Sequence, residues 1–273
     1  MKNFKGKAIY NPSGKAGEYS YWACNFYTGC SNNCEYCYCK KGVMAHTWSD
    51  KPKLKACFKD EHHALQVFEK ELMQNLSDLQ KYGLFFSFTT DPILPETKYL
   101  TYQSLGISVN NEVPVKILTK RADFVSPLLL LNDKRKLSEY AKYVAFGFTL
   151  TGHDELELNA STNSERIEAM KKLHDAGFKT WASIEPIVDF ESSLQMFIST
   201  SEYTDLYKIG LQSEKKYDKD KIILFMQSIH SASHFRRFSG KIYFKNSLLE
   251  QAGINREDLP ANCVGRDYNL FKN

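Results

Sequence analysis

Short apolar runs alternate with longer amphipathic segments along most of this chain. Six of the runs are four to seven residues long and rich in β-branched or aromatic side chains, as buried strands are. They cover residues 21–26, 84–88, 115–118, 144–150, 180–184 and 206–209. Between them, helices are predicted at 60–81, 163–176, 191–203 and 218–230, the second beginning with a capping box at Asn163. This strand–helix order predicts a parallel sheet covered by helices.

The length and composition fit one large α/β domain. The chain has 273 residues, of which 42% are hydrophobic, so it can bury a sizeable core. We predict a single domain over 1–273, with a core at about 20–232 and a C-terminal extension at 233–273. The number of strand–helix units favours an open or incomplete (β/α) barrel, and a doubly wound open sheet is the main alternative.

Both architectures bind their ligands at the carboxyl ends of the parallel strands. The side chains that directly follow the predicted strands are therefore the candidates for a functional site. They are residues 30–37, 89–91, 119–121, 149–153, Glu185 and Gln212.

Charge and hydropathy exclude some classes of protein. The formal net charge is +4, which is too small by itself to indicate a nucleic-acid partner. No apolar run approaches the roughly 20 residues of a membrane-spanning helix, and the first residues lack the apolar region of a signal peptide. The sequence therefore predicts a cytoplasmic protein that makes no contact with a membrane.

The stretch TGCSNNCEYCY, residues 28–38, crowds three cysteines at spacings of four and three. Five of the seven cysteines lie between positions 24 and 39, which favours metal binding or thiol chemistry over a disulfide framework. Three thiolates would leave one iron of a [4Fe–4S] cube free of protein ligands. The alternative is structural zinc, with Cys24 or Cys39 completing a four-ligand site.

The pattern C-x3-C-x-aromatic-C, formed by Cys30, Cys34, Tyr36 and Cys37, resembles the signature of the radical S-adenosylmethionine (SAM) enzymes. The resemblance implies a partial (β/α)6 barrel with small terminal extensions. It also implies a [4Fe–4S] cluster on the three cysteines, SAM on the open iron and a 5′-deoxyadenosyl radical. An electron donor of low potential, of the flavodoxin or ferredoxin type, would supply the reducing electron.

A finer resemblance covers roughly residues 20–250. The runs FSFTTDPILP, KILTKRAD and AFGFTL, at 86–95, 116–123 and 145–150, are similar to the spore photoproduct lyase branch. This likeness implies a set of SAM-binding residues, namely Tyr36 near the adenine, Thr89, Thr90 and Asp91 at the ammonium, and Lys120 and Thr149 at the carboxylate. Phe88 stands where that branch has its hydrogen-donor cysteine, so we expect repair of spore photoproduct to be poor or absent.

Other side chains near the motif are candidates for chemistry. Glu185 ends the fifth predicted strand and would bind the SAM ribose or the substrate, or else pair with a structural Arg or Lys. Cys39 and Tyr38 are candidate hydrogen donors in place of the missing cysteine. His153 and Asp154 are expected in a polar loop.

Two stretches are basic: 51–59 holds four lysines and no acid, and 234–245 interleaves two arginines and two lysines with three phenylalanines and a tyrosine. Basic residues interleaved with aromatic ones suit phosphates and bases. They predict a nucleic-acid partner held through Lys51, Lys53, Arg236 and Arg237, although ordinary charged surface would look the same. Modification of a peptide, a protein or a small molecule is the alternative enzymatic function. A non-enzymatic iron–sulfur or zinc module is the alternative from another class.

Overall fold

The structure is a computed structural model and describes residues 3–130 and 134–272. The described residues form an eight-stranded sheet and a separate two-stranded ribbon. The strands of the sheet are β1 (Ile9–Tyr10), β2 (Ala23–Cys24), β5 (Leu84–Phe86), β6 (Val115–Thr119), β7 (Val144–Thr149), β8 (Lys179–Ile187), β9 (Leu206–Leu211) and β10 (Lys241–Phe244), in this spatial order. The ribbon pairs β3 (Tyr27–Thr28) with β4 (Lys53–Leu54).

Within the eight-stranded sheet, all neighbouring strands from β2 to β10 are parallel, and β1 pairs antiparallel with β2. The six predicted strands are all present, as β2 and β5–β9, although the first is only two residues long. The α/β class and the partial-barrel architecture are thereby confirmed. The strand β10 lies within the predicted C-terminal extension and adds a seventh parallel strand.

The helices lie between successive strands, except α10, which follows β10. They are α1 (Gly14–Gly17), α2 (Glu61–Gln74), α3 (Leu76–Tyr82), α4 (Lys98–Asn110), α5 (Val125–Leu129), α6 (Lys134–Tyr143), α7 (Asn163–Asp175), α8 (Phe190–Thr200), α9 (Lys219–Phe235) and α10 (Asn246–Ala252). Short 3-10 turns occur at Tyr38–Lys40, Gly42–His46, Asp154–Leu156 and Arg256–Asp258. No helix in the described ranges is long and apolar enough to cross a bilayer.

Local hydrogen bonds decide where these helices begin. They divide one predicted helix in two and place one predicted cap a residue earlier. The predicted helix at 60–81 is two helices separated at Asn75, whose side chain donates to the Glu71 carbonyl. The capping box of α7 starts at Thr162, one residue before the predicted Asn163. The Thr162 hydroxyl accepts from the Glu165 backbone, and the Glu165 carboxylate accepts from the Thr162 backbone.

The helix α4 was not expected from the sequence. Its buried face carries Thr101, Ser104 and Ser108, so the pattern of apolar residues is interrupted. The hydroxyl groups of Ser104 and Ser108 donate to carbonyls one turn earlier, each at 2.8 Å. The buried face therefore mixes apolar residues with hydroxyl groups, and both serines satisfy their hydroxyls within the helix.

The sheet separates a large core from a smaller one. The large core lies between the strands and the helices, and the smaller one fills the barrel interior. In the interior, Trp181 packs against Gly147, where a Cβ atom would lie only 2.1 Å from the indole ring. The segment 18–20 also crosses the interior, because Lys116 and Lys208, from β6 and β9, both donate to the Tyr19 carbonyl.

Candidate active site

A cavity of about 550 Å³ opens at the carboxyl ends of the parallel strands, and we call it the thiol cavity. It is lined by every residue that the sequence analysis proposed for the cluster, for SAM or for catalysis. These residues are Cys30, Cys34, Tyr36, Cys37, Tyr38, Cys39, Thr89, Thr90, Asp91, Lys120, Thr149 and Glu185. Side chains that are up to 155 positions apart in sequence, from Cys30 to Glu185, thus share one cavity.

Backbone contacts shape the cysteine loop. Gly29 has a φ of +83°, and a Cβ there would lie 2.6 Å from the carbonyls of Ser49 and Lys51, so only glycine fits. The Cys30 amide donates to the Ser49 carbonyl at 2.9 Å, and the Glu35 amide donates to the Leu156 carbonyl at 3.0 Å. The loop is therefore held from both sides by other parts of the chain.

The three motif thiols lie in different electrostatic surroundings. Burial, followed by the charge of Asp91, raises the pKa of Cys30 to about 12, and burial also raises the pKa of Cys34. A hydrogen bond from Cys39 lowers the pKa of Cys37 to about 6. Metal binding removes the thiol protons, so the positive charge of nearby Lys120 favours the ligating form of all three.

The donor set fits an iron–sulfur cluster bound through three cysteines. Cys30, Cys34 and Cys37 line the thiol cavity, whereas Cys24 is fully buried in the core between the sheet and the helices. Cys24 is therefore not placed to complete a zinc site with the other three. Cys39 lines the cavity as well, and its thiol donates to the Phe88 carbonyl at 3.6 Å.

Asp91 accepts four hydrogen bonds and joins the cysteine loop to the sheet. One oxygen accepts from the Ile93 amide at 3.0 Å and the Thr119 hydroxyl at 2.7 Å. The other accepts from the Asn32 side chain at 2.8 Å and the Lys120 amide at 2.7 Å. Since both oxygens already have two donors, the carboxylate is an organising group of this site.

The Asn32 side chain lies within the cysteine loop and was not singled out from the sequence. It is 2% exposed, and its oxygen has no hydrogen-bond partner among the described residues. Its amide nitrogen is the group that binds Asp91. An asparagine in a turn-rich loop gave no signal for this role.

Lys120 lies over the Tyr36 ring, with its ammonium 5.5 Å from the ring centre. Although burial alone would lower it, the charges of Cys34 and Glu157 raise the pKa of Lys120 overall. The ammonium therefore stays charged in a cavity lined by thiols. Such a cation suits an anionic ligand group.

A buried pair that sequence reasoning missed fixes the position of Tyr36. The Tyr36 hydroxyl donates to Glu157, and the other oxygen of Glu157 accepts from Arg166. The side chains of Glu157 and Arg166 are both fully buried, and Arg166 also donates to the Thr149 carbonyl at 2.5 Å. The sequence carried one signal of this pair, because Arg166 falls on the buried stripe of α7 beside Ala169, Met170 and Leu173.

The hydroxyl groups of the three candidate SAM-binding threonines differ in how far protein hydrogen bonds already engage them. The Thr89 hydroxyl donates to the Tyr27 carbonyl at 2.5 Å, and the Thr90 hydroxyl contacts the Asp91 carbonyl at 3.5 Å. The Thr149 side chain lines the cavity, and its hydroxyl makes no side-chain hydrogen bond within the described ranges.

Glu185 lies in the part of the thiol cavity that is formed by the later strands. Its oxygens accept from the Lys245 ammonium at 2.8 and 3.0 Å, and Tyr19 also donates to it. The Lys245 side chain is 2% exposed. The carboxylate is therefore paired with a buried lysine from the end of β10, a residue that the sequence analysis did not assign to the site.

Phe88 and Tyr38 lie together at the cavity wall. The Phe88 ring packs 4.5 Å from Phe85 and 6.0 Å from Tyr19, measured between ring centres. The Tyr38 hydroxyl donates to the Phe88 carbonyl. The position that resembles the donor cysteine is thus occupied by an aromatic cluster.

The four basic residues proposed for nucleic acid lie at opposite ends of the barrel. Lys51 and Lys53 adjoin the cysteine loop, because the Gly29 backbone packs on the Lys51 carbonyl and β4 pairs with β3. Arg236 and Arg237 follow α9, which runs back from the carboxyl ends of the strands to their amino ends. The four residues predicted to hold a nucleic acid therefore do not form one continuous surface, and the nucleic-acid partner stays a prediction.

A parallel barrel with three thiols lining a cavity at its carboxyl-terminal edge fits an enzyme that binds an iron–sulfur cluster. A sequence model of the radical SAM superfamily matches residues 24–197, which is more than half of the chain. This chain belongs to the radical SAM superfamily and is a radical SAM enzyme. Membership implies a [4Fe–4S] cluster and SAM as cofactors, and radical SAM enzymes generally need a reductant.

The chain is also similar to individual proteins. It is 24% identical over 216 residues to an uncharacterized protein of Methanocaldococcus jannaschii, MJ0683, covering 74% of each. A mutant spore photoproduct lyase with bound AdoMet and dinucleoside spore photoproduct has a TM-score of 0.62 at 11% identity, over 83% of this chain and 76% of that one. SuiB of Streptococcus suis, bound to S-adenosylmethionine, has a TM-score of 0.54 at 13% identity, over 82% of this chain and 51% of that one.

Proposed function

We propose that this enzyme reductively cleaves SAM and uses the resulting 5′-deoxyadenosyl radical to abstract hydrogen from a substrate. The observation that carries the proposal is the thiol cavity itself, where Cys30, Cys34 and Cys37 face the same space as Lys120. A [4Fe–4S] cluster bound there would supply the electron for cleavage. A low-potential donor of the flavodoxin or ferredoxin type would restore that electron.

The chain's own residues would bind and orient SAM. Lys120 is proposed to pair with the SAM carboxylate, because its ammonium is charged and lines the cavity. Thr149 would add a hydroxyl at the same group. Tyr36 would lie beside the adenine, held in place by Glu157.

The ammonium of SAM needs acceptors, and Asp91 is already saturated by four donors. We therefore propose that Asp91 acts on the ammonium through Asn32, whose free oxygen lies in the cysteine loop. Thr89 and Thr90 would complete this group of acceptors. In this arrangement Asp91 is a positioning residue.

The part of the thiol cavity near Glu185 is proposed for the SAM ribose or the substrate. It carries a polar set formed by Ser183, Gln212 and Ser213 besides the paired Glu185 and Lys245. Cys39 and Tyr38 remain candidate hydrogen donors, since both line the cavity beside Phe88. With Phe88 at the donor position, we expect poor or absent turnover of spore photoproduct.

The cluster test uses anaerobic reconstitution. We expect about four irons and four sulfides per chain and broad visible absorbance, as is usual for such clusters. Replacing Cys30, Cys34 or Cys37 with Ala should abolish that absorbance, whereas Cys24→Ala is the matched control and should retain it. Stoichiometric zinc without uptake of iron would contradict the proposal.

For the substrate we propose a nucleic acid, supported by the likeness to a lyase with a bound dinucleoside and by the lysines beside the cysteine loop. The structure supplies a matched control for this idea, because Arg236 and Arg237 lie at the other end of the barrel. Neutralising Lys51 and Lys53 should each lower the salt dependence of binding by about one unit of slope. Equal effects of Arg236 and Arg237, or no salt-sensitive binding, would instead favour a peptide, a protein or a small molecule.

A further inference from the structure

A second cavity, of about 170 Å³, lies at the amino-terminal end of the barrel, and we call it the lower cavity. Its walls include Ser20 and Tyr21 before β2, Lys116 of β6 and the C-terminal residues Arg266 and Lys272. Tyr19 lines both cavities, so it separates the lower cavity from the thiol cavity. The two cavities are therefore distinct sites.

The lining of the lower cavity is strongly cationic. Lys81, Lys116, Arg266 and Lys272 line it, and Asp267 is the carboxylate among the described lining residues. This gives four positive charges against one negative charge, a net charge of +3. Asp267 itself accepts a hydrogen bond from Tyr21.

Lys116 is the innermost of these cations. Its ammonium donates to the Tyr19 carbonyl at 2.8 Å, and no carboxylate forms an ion pair with it within the described part of the chain. Burial lowers the pKa of Lys116 to about 8. A partly buried ammonium without an anionic partner gains from a ligand that supplies the opposite charge.

Ser20 provides a second, uncharged donor. The residue is 6% exposed and lines the lower cavity, and its hydroxyl has no hydrogen-bond partner among the described residues. Arg266 is held nearby, because its guanidinium donates to the Gly17 carbonyl at 2.8 Å and lies 4.7 Å from the centre of the Tyr21 ring. Hydroxyl, guanidinium and ammonium donors together suit a phosphate or carboxylate group.

We propose that the lower cavity binds a small oxyanion, with phosphate as the best match. At about 170 Å³ it is smaller than the usual 300–1,000 Å³ of a site for a drug-sized ligand, so it would hold one anionic group. That group is either a free ion or the charged end of a larger ligand. The bound anion would neutralise Lys116 and accept from Ser20 and Arg266.

The test is calorimetric titration of the anaerobically purified, cluster-containing protein with inorganic phosphate at constant ionic strength. Acetate, as a simple carboxylate, and glycerol phosphate, as a phosphate on a larger body, are the other two arms. We expect saturable binding of phosphate that persists when SAM is present in excess. Binding that SAM abolishes would place the anion in the thiol cavity and overturn the proposal.

Two variants make the assignment specific. Ser20→Ala and Arg266→Met should each weaken phosphate binding about tenfold or more, since each removes a donor to a charged group. Ser20→Ala should not lower the melting temperature without phosphate, because the lost hydroxyl has no partner. Lys216→Met is the matched control for charge, since Lys216 is exposed and does not line the lower cavity. Unchanged affinity in both Ser20→Ala and Arg266→Met, or no binding of any of the three anions, would refute the site.

Discussion

At the scale of single residues, the cavity divides its charged groups into two kinds. Asp91 and Glu185 already accept hydrogen bonds from protein donors, whereas the direct side-chain partner of Lys120 among the described residues is the Tyr36 ring alone. An anionic ligand group therefore gains the most binding free energy from contact with Lys120. The engaged carboxylates act chiefly by fixing the loop and the wall around it.

The first prediction concerns Lys120. Replacing it with Ala should weaken SAM binding by about 1.5–3 kcal/mol, the usual range for a hydrogen bond to a charged group. Equilibrium binding of SAM to the cluster-containing protein measures this loss. Lys98→Ala, an exposed lysine at the start of α4, should leave the affinity unchanged. Equal affinity in the Lys120→Ala variant and the unaltered protein would show that the SAM carboxylate binds elsewhere.

At the scale of elements, the loop after β7 and the helix α7 support the cysteine loop. The Leu156 carbonyl holds Glu35, and Glu157 holds Tyr36. Arg166 of α7 pairs with the Glu157 oxygen that Tyr36 does not use. One element thus positions two residues of the motif loop.

The second prediction concerns the buried pair. Glu157→Ala removes the close, buried anion of Arg166 and leaves the half-exposed Asp154, 3.8 Å away, as its remaining carboxylate among the described residues. Breaking a buried pair in this way costs about 3–5 kcal/mol of the free energy of unfolding. Urea denaturation under anaerobic conditions measures the cost. Glu168→Ala breaks an exposed pair with Lys172 on the same helix and should cost less than about 0.5 kcal/mol. A similar, small cost for both variants would contradict the role given to Glu157.

The third prediction concerns pH and the junction between β7 and α8. Although burial lowers it, hydrogen bonds to Asp189 and Glu155 raise the pKa of His153 overall. Burial alone would raise the pKa of Asp189, but hydrogen bonds from the Ser192 amide and from His153 lower it overall. The stability that protonated His153 contributes is therefore fully present below the ordinary histidine pKa of about 6.5. It is lost as pH rises through the raised pKa of His153 in the folded protein.

The stability that ionised Asp189 contributes has the opposite dependence on pH, since it is present above about pH 4 and is lost as pH falls. His153→Ala should consequently lower the melting temperature more at about pH 5.5 than at pH 8.5. His62→Ala is the control, because His62 is exposed and contacts only Gln66 in the described structure. A loss that is equal at both pH values would mean that packing, rather than charge, joins His153 to α8.

At the scale of the whole molecule, the barrel interior connects two polar ends through Tyr19. The thiol cavity lies at the carboxyl ends of the strands, and the lower cavity lies at their amino ends. Lys208, between them, donates to the carbonyls of Glu18 and Tyr19. Burial and the charges of Lys116 and Lys245 lower the pKa of Lys208.

The architecture was predictable from the sequence because strand and helix patterns are local. The cysteine motif was predictable because its spacing is local as well. The pairs Glu157–Arg166 and Glu185–Lys245 were not, since the partners are separated in sequence by 9 and 60 positions and only the fold brings them together. The placement of Arg236 and Arg237 opposite Lys51 and Lys53 was not predictable for the same reason, because it depends on the direction of α9.

The most direct test of the central claim is the fate of SAM on the reconstituted enzyme. With dithionite as the reductant and SAM in excess, we expect 5′-deoxyadenosine and methionine to form, as measured by chromatography under anaerobic conditions. Cys34→Ala, which removes one proposed cluster ligand, should form neither above background. An iron-loaded protein that binds SAM yet forms no 5′-deoxyadenosine, with candidate substrates present as well as absent, would contradict the account.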